Sequence, residues 1–160
     1  MGKDFVRELQ KEKNVDEIWM IARRKTRLEV MEKELDGRAK AIPLDLTDIN
    51  SFDIIEGILR KECPQVLYLV NAAGAGRMGK VEEIDAKDHC FVLDINVRAL
   101  TMVSRVCLPY MSKGSRIIQL CSGSAAAYIS AISLAALPAS SLTSSGVKIS
   151  ASVPKPKSQA

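Results

Sequence analysis

The sequence predicts an α/β protein whose open, doubly wound parallel sheet is covered by helices on both faces. Helical and strand-like patterns alternate as far as Leu120, and such alternation is typical of parallel sheets. A short apolar run, residues 66–70, ends abruptly in the small residues Asn-Ala-Ala-Gly at 71–74. We interpret this as a buried strand that leads into a tight turn. Ligands of open α/β sheets bind at strand ends, so this 71–74 turn also predicts a cofactor site.

The elements of the first half are predicted from the spacing of apolar residues. Phe5, Val6 and Leu9 share one helical face, as do the apolar residues of the next helix. Pro43 weakens one strand, because proline cannot donate a hydrogen bond inside a sheet. The predicted elements are helices at 4–13 and 26–35, strands at 17–21 and 39–44, and a helix that Thr47 or Asp48 would cap.

The second half continues the alternation and then changes in texture. After the strand at 66–70 we expect a long helix over 91–111, with Pro109 near its end, and a strand from Ser115 or Arg116 to Leu120. Residues 124–145 are rich in Ala and Ser and poor in periodicity, 147–153 alternate weakly like a strand, and the Pro- and Lys-containing end is predicted to be a tail.

Composition excludes several classes of function. The formal net charge of +4, with 26% charged residues, is too weak to indicate nucleic acid, and aromatics make up only 4% of the chain. The four cysteines form no Cys-x-x-Cys pair and His89 is the only histidine, so we expect no metal site. No secretory signal or membrane-spanning apolar run is present, so we expect a cytoplasmic protein without membrane contact.

Further motifs accompany the 71–74 turn in a fixed order. They are Gly2 before the first helix, Ala22-Arg23-Arg24 after the second element, Asp45-Leu46, the turn Asn71-Ala72-Ala73-Gly74 itself, Asn96 within Leu93-Asp-Ile-Asn-Val97, and Cys121-Ser122. In this order and spacing they resemble the short-chain dehydrogenase/reductase family, over roughly residues 1–124. The resemblance implies a Rossmann-like fold, with residues 1–123 as a partial dinucleotide-binding domain and 124–160 as an atypical Ala/Ser-rich segment and tail.

The resemblance assigns a dinucleotide-phosphate role to the residues near the start. Gly2 would be the last glycine of the family's phosphate-binding turn; taken alone it is an ordinary second residue, and its register with the later motifs favours the family role. NAD-specific members usually carry an acid where Ala22 stands, whereas Arg23, with Arg24 second, could pair with a 2′-phosphate. The resemblance therefore favours NADP(H). The alternative is a solvated basic cluster with Lys25 and Arg27.

Two further pairs of residues are implied to contact the cofactor. Asp45 and Leu46 are similar to the family's acid–hydrophobe pair, in which the acid meets the adenine amino group. Asp45 can equally be a local acid that serves Thr47 and Asp48. The 71–74 turn matches the family's Asn-Asn-Ala-Gly turn beside the cofactor ribose, with Ala72 replacing the second Asn. A purely structural turn is the alternative.

The catalytic residues implied by the resemblance are Asn96 and Ser122. In the family this Asn holds a water of the proton relay, and this Ser hydrogen-bonds the substrate carbonyl or alcohol. The alternatives are a satisfied core amide for Asn96 and a strand-end turn residue for Ser122. An unpaired buried amide costs about 1–3 kcal/mol, so Asn96 is expected to have partners.

The chain departs from the family pattern at both ends. The family's Tyr-x-x-x-Lys should follow Ser122 by about thirteen residues, but Ala135 and Ala139 stand there and no Tyr has Lys four places later. The family's first strand, which lies between its second and fourth, has no counterpart in these residues. We therefore expect an incomplete sheet with unpaired edges, and a truncated, inactive chain that binds NADPH weakly if at all.

Two functions remain open at this point. The first is an NADP(H)-dependent short-chain oxidoreductase that moves hydride between nicotinamide and a small carbonyl or alcohol substrate. The alternative is a non-catalytic nucleotide-binding or interaction protein with the same fold. A homo-oligomer is compatible with the resemblance, and nucleic-acid binding is not expected.

Overall fold

The computed structural model describes residues 2–35 and 37–120, which form five α-helices and four strands. The helices are α1 Gly2–Leu9, α2 Lys25–Glu34, α3 Asn50–Glu62, α4 Ala86–Leu93 and α5 Ala99–Cys107. The strands are β1 Ile18–Ala22, β2 Ala39–Pro43, β3 Tyr68–Asn71 and β4 Arg116–Gln119. A π-helical turn, Asp94–Arg98, joins α4 to α5, and 3-10 turns occupy Val81–Glu83 and Leu108–Tyr110.

The strands pair in parallel, as the alternation of elements predicts. Strands β1 and β2 form one sheet with Ala22 opposite Pro43, and β3 and β4 form another with Asn71 opposite Gln119. The described residues therefore contain two two-stranded sheets rather than one continuous sheet. The predicted α/β fold with an incomplete parallel sheet is confirmed.

Two apolar clusters cover the strands from opposite sides. One joins α3 and α5 to Trp19 of β1 and Leu69 of β3, and the other joins α2 to Met20 of β1 and Tyr68 of β3. Successive residues of a strand point to opposite faces, so β1 and β3 contribute alternate side chains to both clusters. Helices on both faces thus arise from the alternation that the sequence shows.

The helix predicted at 91–111 differs most from the structure. It begins at Ala86 because the side chain of Asp85 accepts a hydrogen bond from the Lys87 N–H and caps α4. It is then interrupted by the π-helical turn and ends at Cys107, before the 3-10 turn that contains Pro109. Apolar spacing alone indicated neither the earlier start nor the interruption.

Smaller corrections concern the ends of other elements. Helix α1 ends at Leu9 instead of continuing to residue 13, since the Lys11 and Glu12 N–H groups bond to carbonyls three residues back. Strand β3 begins at Tyr68 because the Val66 N–H donates to the Tyr110 carbonyl outside the sheet. Neither Thr47 nor Asp48 is the N-cap of α3, which is Ile49 and makes no side-chain cap hydrogen bond; Asp48, one residue earlier, accepts the Asn50 N–H at 3.0 Å. The strand predicted at 147–153 lies outside the described residues.

Proline 43 is compatible with its strand because of where that strand lies. Pro43 is exposed and ends β2, which pairs only with β1 in the described residues. An edge position needs no second set of ladder hydrogen bonds. Among the helices of residues 2–35 and 37–120, none is long and apolar enough to cross a membrane.

Candidate functional site

The candidate site is built from residues that follow the strands. Arg23 comes directly after β1, Asp45 lies two residues beyond β2, and the 71–74 turn begins with the last residue of β3. Parallel pairing places the ends of neighbouring strands at one edge of each sheet. This edge is where α/β proteins bind ligands.

Asn71 anchors the turn to the helix behind it. Its Nδ2 donates to Ser104 Oγ at 3.2 Å, and that hydroxyl donates to the Leu100 carbonyl in α5 at 2.8 Å. The Asn71 carbonyl accepts the Leu120 N–H at 3.0 Å. The following residues, Ala72, Ala73 and Gly74, are exposed. The turn is thus fixed from behind and presents small residues outward, which leaves space for a ligand.

Asn96 clamps the backbone just after the turn. Its Nδ2 donates to the Ala75 carbonyl at 2.6 Å, and its Oδ1 accepts the Ala75 N–H at 3.0 Å. A Cβ on Gly74 would lie only 2.9 Å from this Oδ1. Glycine is therefore required at 74 because of this contact, and Asn96 has the partners that a partly buried amide needs.

A π-helical turn brings Asn96 to this position. The Ala99 N–H donates to the Asp94 carbonyl five residues back, which widens the helix over Asp94–Arg98. Such insertions are frequent at functional sites, where they change the direction of a side chain or a carbonyl. The structure thus places Asn96 beside the turn; its catalytic role stays a prediction.

Asp45 organises the loop between β2 and α3. Its Oδ1 accepts the Thr47 N–H at 2.9 Å and the Thr47 hydroxyl at 2.8 Å. Burial acts to raise the pKa of Asp45, but these hydrogen bonds and the positive charge of Arg23 outweigh it and lower the pKa. The local role that was left open for Asp45 is therefore present, and contact with adenine stays a prediction.

The lowered pKa of Asp45 predicts an acid-sensitive contribution to stability. Because the folded state favours the carboxylate, this contribution is complete above the unfolded pKa of about 3.9 and is lost as pH falls through the lower folded value. We expect the Asp45→Asn variant to be less stable than the wild type at pH 7, with the difference shrinking below about pH 4.

Urea unfolding at pH 7, 5, 4 and 3 measures this difference. Thr47→Val should reduce the pH dependence only in part, since the backbone N–H bond to Asp45 remains. A stability difference between wild type and Asp45→Asn that stays constant over this pH range would contradict the assignment.

Arg98 supports the same loop, although sequence reasoning did not single it out. One guanidinium nitrogen donates to the Thr47 carbonyl at 2.7 Å and lies 3.2 Å from Asp94 Oδ1. Its buried Nε has no protein partner in the described part of the chain. Asp94 and Arg98 lie four residues apart on a helix, and this spacing is the only sequence signal for their ion pair.

Arg23 contacts an aromatic ring that the sequence did not mark. Its guanidinium carbon lies 5.6 Å from the centre of the Phe91 ring, and the guanidinium of Arg77 lies over the same ring. Arg24 is exposed and is the N-cap residue of α2. Arg77 lies in the loop next to the turn, three residues after Gly74. This closeness to the turn in sequence was the one available signal for Arg77.

The remaining predicted site residues differ in whether the structure places them near the turn. Gly2 lies beside the turn, since a Cβ on it would be 3.6 Å from the Cβ of Ala72. The Leu46 side chain is buried in the cluster formed with α3 and α5. Ser122 lies outside the described residues. No group of three or more metal-ligating side chains occurs within residues 2–35 and 37–120.

The parallel strands, with helices packed against them and a turn of small residues at a strand end, define a Rossmann-like α/β protein. The profile of the short chain dehydrogenase family matches residues 1–140. The chain belongs to this family, whose members bind nicotinamide cofactors and act on small-molecule substrates.

Curated relatives agree with this membership. The chain is 32% identical over 89 residues to the dehydrogenase OXI1 of Cochliobolus heterostrophus, which covers 55% of this chain. It is 29% identical over 100 residues to the oxidoreductase UcpA of Salmonella typhimurium, which covers 59% of this chain. In both comparisons the chain spans only 38% of the relative's length.

Solved structures show the same fold. A double variant of a short-chain dehydrogenase/reductase from Serratia marcescens is 26% identical, with a TM-score of 0.67. That match covers 84% of this chain and 58% of the other. An NADPH-bound carbonyl reductase from chicken fatty liver has a TM-score of 0.64 at 22% identity, over 76% of this chain and 54% of the other.

Proposed function

We propose that this chain is the dinucleotide-binding part of an NADP(H)-dependent short-chain oxidoreductase. Its substrate class would be a small carbonyl or alcohol compound. The observation that carries the proposal is the fixed turn after β3, where Asn96 holds Ala75 while exposed small residues face outward. This arrangement allows a bulky cofactor to approach the backbone closely.

The residues present fit a dinucleotide with a 2′-phosphate. The Arg23 side chain is exposed at the end of β1, and Ala22 stands where an acid would repel that phosphate. The loop between β2 and α3, which contains Asp45, is held by the hydrogen bonds of Asp45 with Thr47 and of Arg98 with the Thr47 carbonyl. The shape of this loop is therefore defined before a ligand binds. Fewer groups must then be ordered on binding.

The chemistry divides between the cofactor and the chain. When bound, the nicotinamide supplies or accepts the hydride. In this proposal Asn96 orders a water of the proton relay through the widened helix at Asp94–Arg98, and Ser122 hydrogen-bonds the substrate oxygen. Asn71 and Gly74 keep the turn open toward the cofactor.

The family's proton-donor pair has no counterpart in these 160 residues, because no Tyr is followed by Lys four places later. We propose that the purified chain therefore has no turnover above background. NADPH oxidation with a panel of aldehydes and ketones measures this. Turnover that depends on Ser122, and is lost in Ser122→Ala, would show that another residue donates the proton.

Replacing Arg23 should test the cofactor preference directly. We expect Arg23→Gln to weaken NADPH binding by roughly 10- to 100-fold, because a charge-assisted hydrogen bond contributes about 1.5–3 kcal/mol. NADH binding should change by less than about threefold, since NADH lacks the phosphate. Titration with either cofactor, followed by its fluorescence, measures both values.

Arg27→Gln is the matched control, since this exposed arginine lies in the first turn of α2. It should leave the preference unchanged. Equal loss in both Arg variants would indicate the general effect of a solvated basic cluster. Absence of NADPH saturation up to about millimolar concentration would reject the proposed function and also the non-catalytic nucleotide-binding alternative.

Two further properties are proposed, the cellular compartment and self-association. Cys63, Cys90 and Cys107 are free thiols in the described residues, which suits a reducing compartment such as the cytoplasm. Leu93 and Val97, exposed and four residues apart, offer an apolar strip through which copies of the chain could associate.

A further inference from the structure

One aromatic ring is contacted by two arginine side chains that are distant in the sequence. The guanidinium carbons of Arg23 and Arg77 lie 5.6 and 5.3 Å from the centre of the Phe91 ring. Both distances are within the range of about 6 Å for cation–π contacts. Phe91 is partly buried in α4, so its ring offers both cations a common support.

Arg77 is held in place but remains accessible. Its guanidinium donates to Asp88 Oδ1 at 3.1 Å and to the Gly76 carbonyl at 3.3 Å. The side chain is 43% exposed. The hydrogen bond from Arg77 is the main reason that the pKa of Asp88 is lowered. An exposed ion pair of this kind contributes little to stability, so a stronger anion can share or replace it.

Both arginines can donate hydrogen bonds to an anion. A guanidinium has five N–H groups in a planar fork, and contact with a ring face leaves its edge free for an anion. Two cations beside one ring repel each other, and Asp88 neutralises only one of them within hydrogen-bond distance. A dianionic phosphate would relieve this repulsion and accept hydrogen bonds from both arginines.

We propose that Arg77 is a second phosphate-binding residue for the 2′-phosphate of a dinucleotide, and that Phe91 is a positioning residue that holds Arg77 and Arg23 together. The inference rests on the proposed function and extends it from one cation to two. It assigns the loop after the 71–74 turn to cofactor discrimination.

The Arg77→Gln variant of the whole chain tests the inference. We expect the ratio of NADPH to NADH affinity to fall about tenfold, as for one lost charge-assisted contact. Arg60→Gln is the matched control, since Arg60 is also an exposed arginine paired with a carboxylate, Glu56, at 3.0 Å. The control should keep the wild-type ratio.

Replacements of Phe91 distinguish its role in positioning the two arginines from its role as an apolar side chain that packs in the protein. Phe91→Leu keeps an apolar side chain but removes the ring face, so the affinity ratio should fall. Phe91→Trp keeps the face and should retain the wild-type ratio. If both variants bind NADH normally and share the wild-type ratio, the ring does not position the arginines. Because Arg77 is exposed, its variant keeps the inference testable even if a Phe91 variant fails to fold.

Competition experiments identify the source of the phosphate. Adenosine 2′,5′-bisphosphate should displace NADPH at much lower concentration than inorganic phosphate does; equal potency would indicate a general anion site and overturn the inference. If Arg23→Gln changes the ratio and Arg77→Gln does not, the inference fails while the proposed function stands. If wild-type protein shows no preference for NADPH, both fail.

Discussion

Replacing Ile55 by Ala is expected to remove a large part of the chain's stability. Ile55 is 2% exposed and packs in the cluster that joins α3 to α5. Truncation of such a side chain costs about 2–5 kcal/mol, through lost burial and the cavity left behind. Whole domains have only about 5–15 kcal/mol, so the variant should unfold at much lower urea concentration.

The neighbouring Ile54 provides a matched control on the same helix. It is 49% exposed, so Ile54→Ala should change the free energy of unfolding by no more than about 0.5 kcal/mol. Urea titration followed by circular dichroism gives both values. Equal shifts in the two variants would show that the helix does not bury the face assigned to it.

The same cluster supports the candidate site. Leu69 of β3 packs against it, two residues before the 71–74 turn. We expect Ile55→Ala to reduce the fraction of protein that binds cofactor, with an unchanged dissociation constant for the folded fraction. A changed dissociation constant would mean that the packing also sets the geometry of the turn.

Replacing Gly74 by Ala should break the clamp beside the turn. The added Cβ would come within 2.9 Å of Asn96 Oδ1, closer than such atoms approach in proteins. Asn96 cannot move away without losing its two bonds to Ala75, which costs about 1–3 kcal/mol for a buried group left unpaired. We expect lower stability by that amount and weaker NADPH binding.

Gly76→Ala is the control, because a Cβ on Gly76 meets nothing within 4 Å. A double-variant cycle tests the mechanism. In an Asn96→Ala background the clash is absent, so Gly74→Ala should cost much less than it does in the wild type. Equal costs in the two backgrounds would show that the contact with Asn96 is not the reason for glycine at 74.

Local sequence patterns were sufficient to predict the strands, because a strand is indicated by a short apolar run of neighbouring residues. The apolar runs before Ala22 and Asn71 predicted parallel strands and their ends to within one or two residues. The helix boundary at Ala86 was missed since it depends on one capping carboxylate, Asp85, rather than on apolar spacing. The interruption at Asp94–Arg98 was missed because a π-helical turn changes hydrogen bonds without a distinct composition.

The sequence by itself determined the fold class, the family and the residues at the strand ends, because alternation and motif order are properties of the linear chain. Only the tertiary structure decided which of these residues meet. Asn96 lies against Ala75, Arg98 reaches Thr47, and Arg77 shares the Phe91 ring with a residue 54 positions earlier. Such contacts arise from packing across the strands, which no local pattern records.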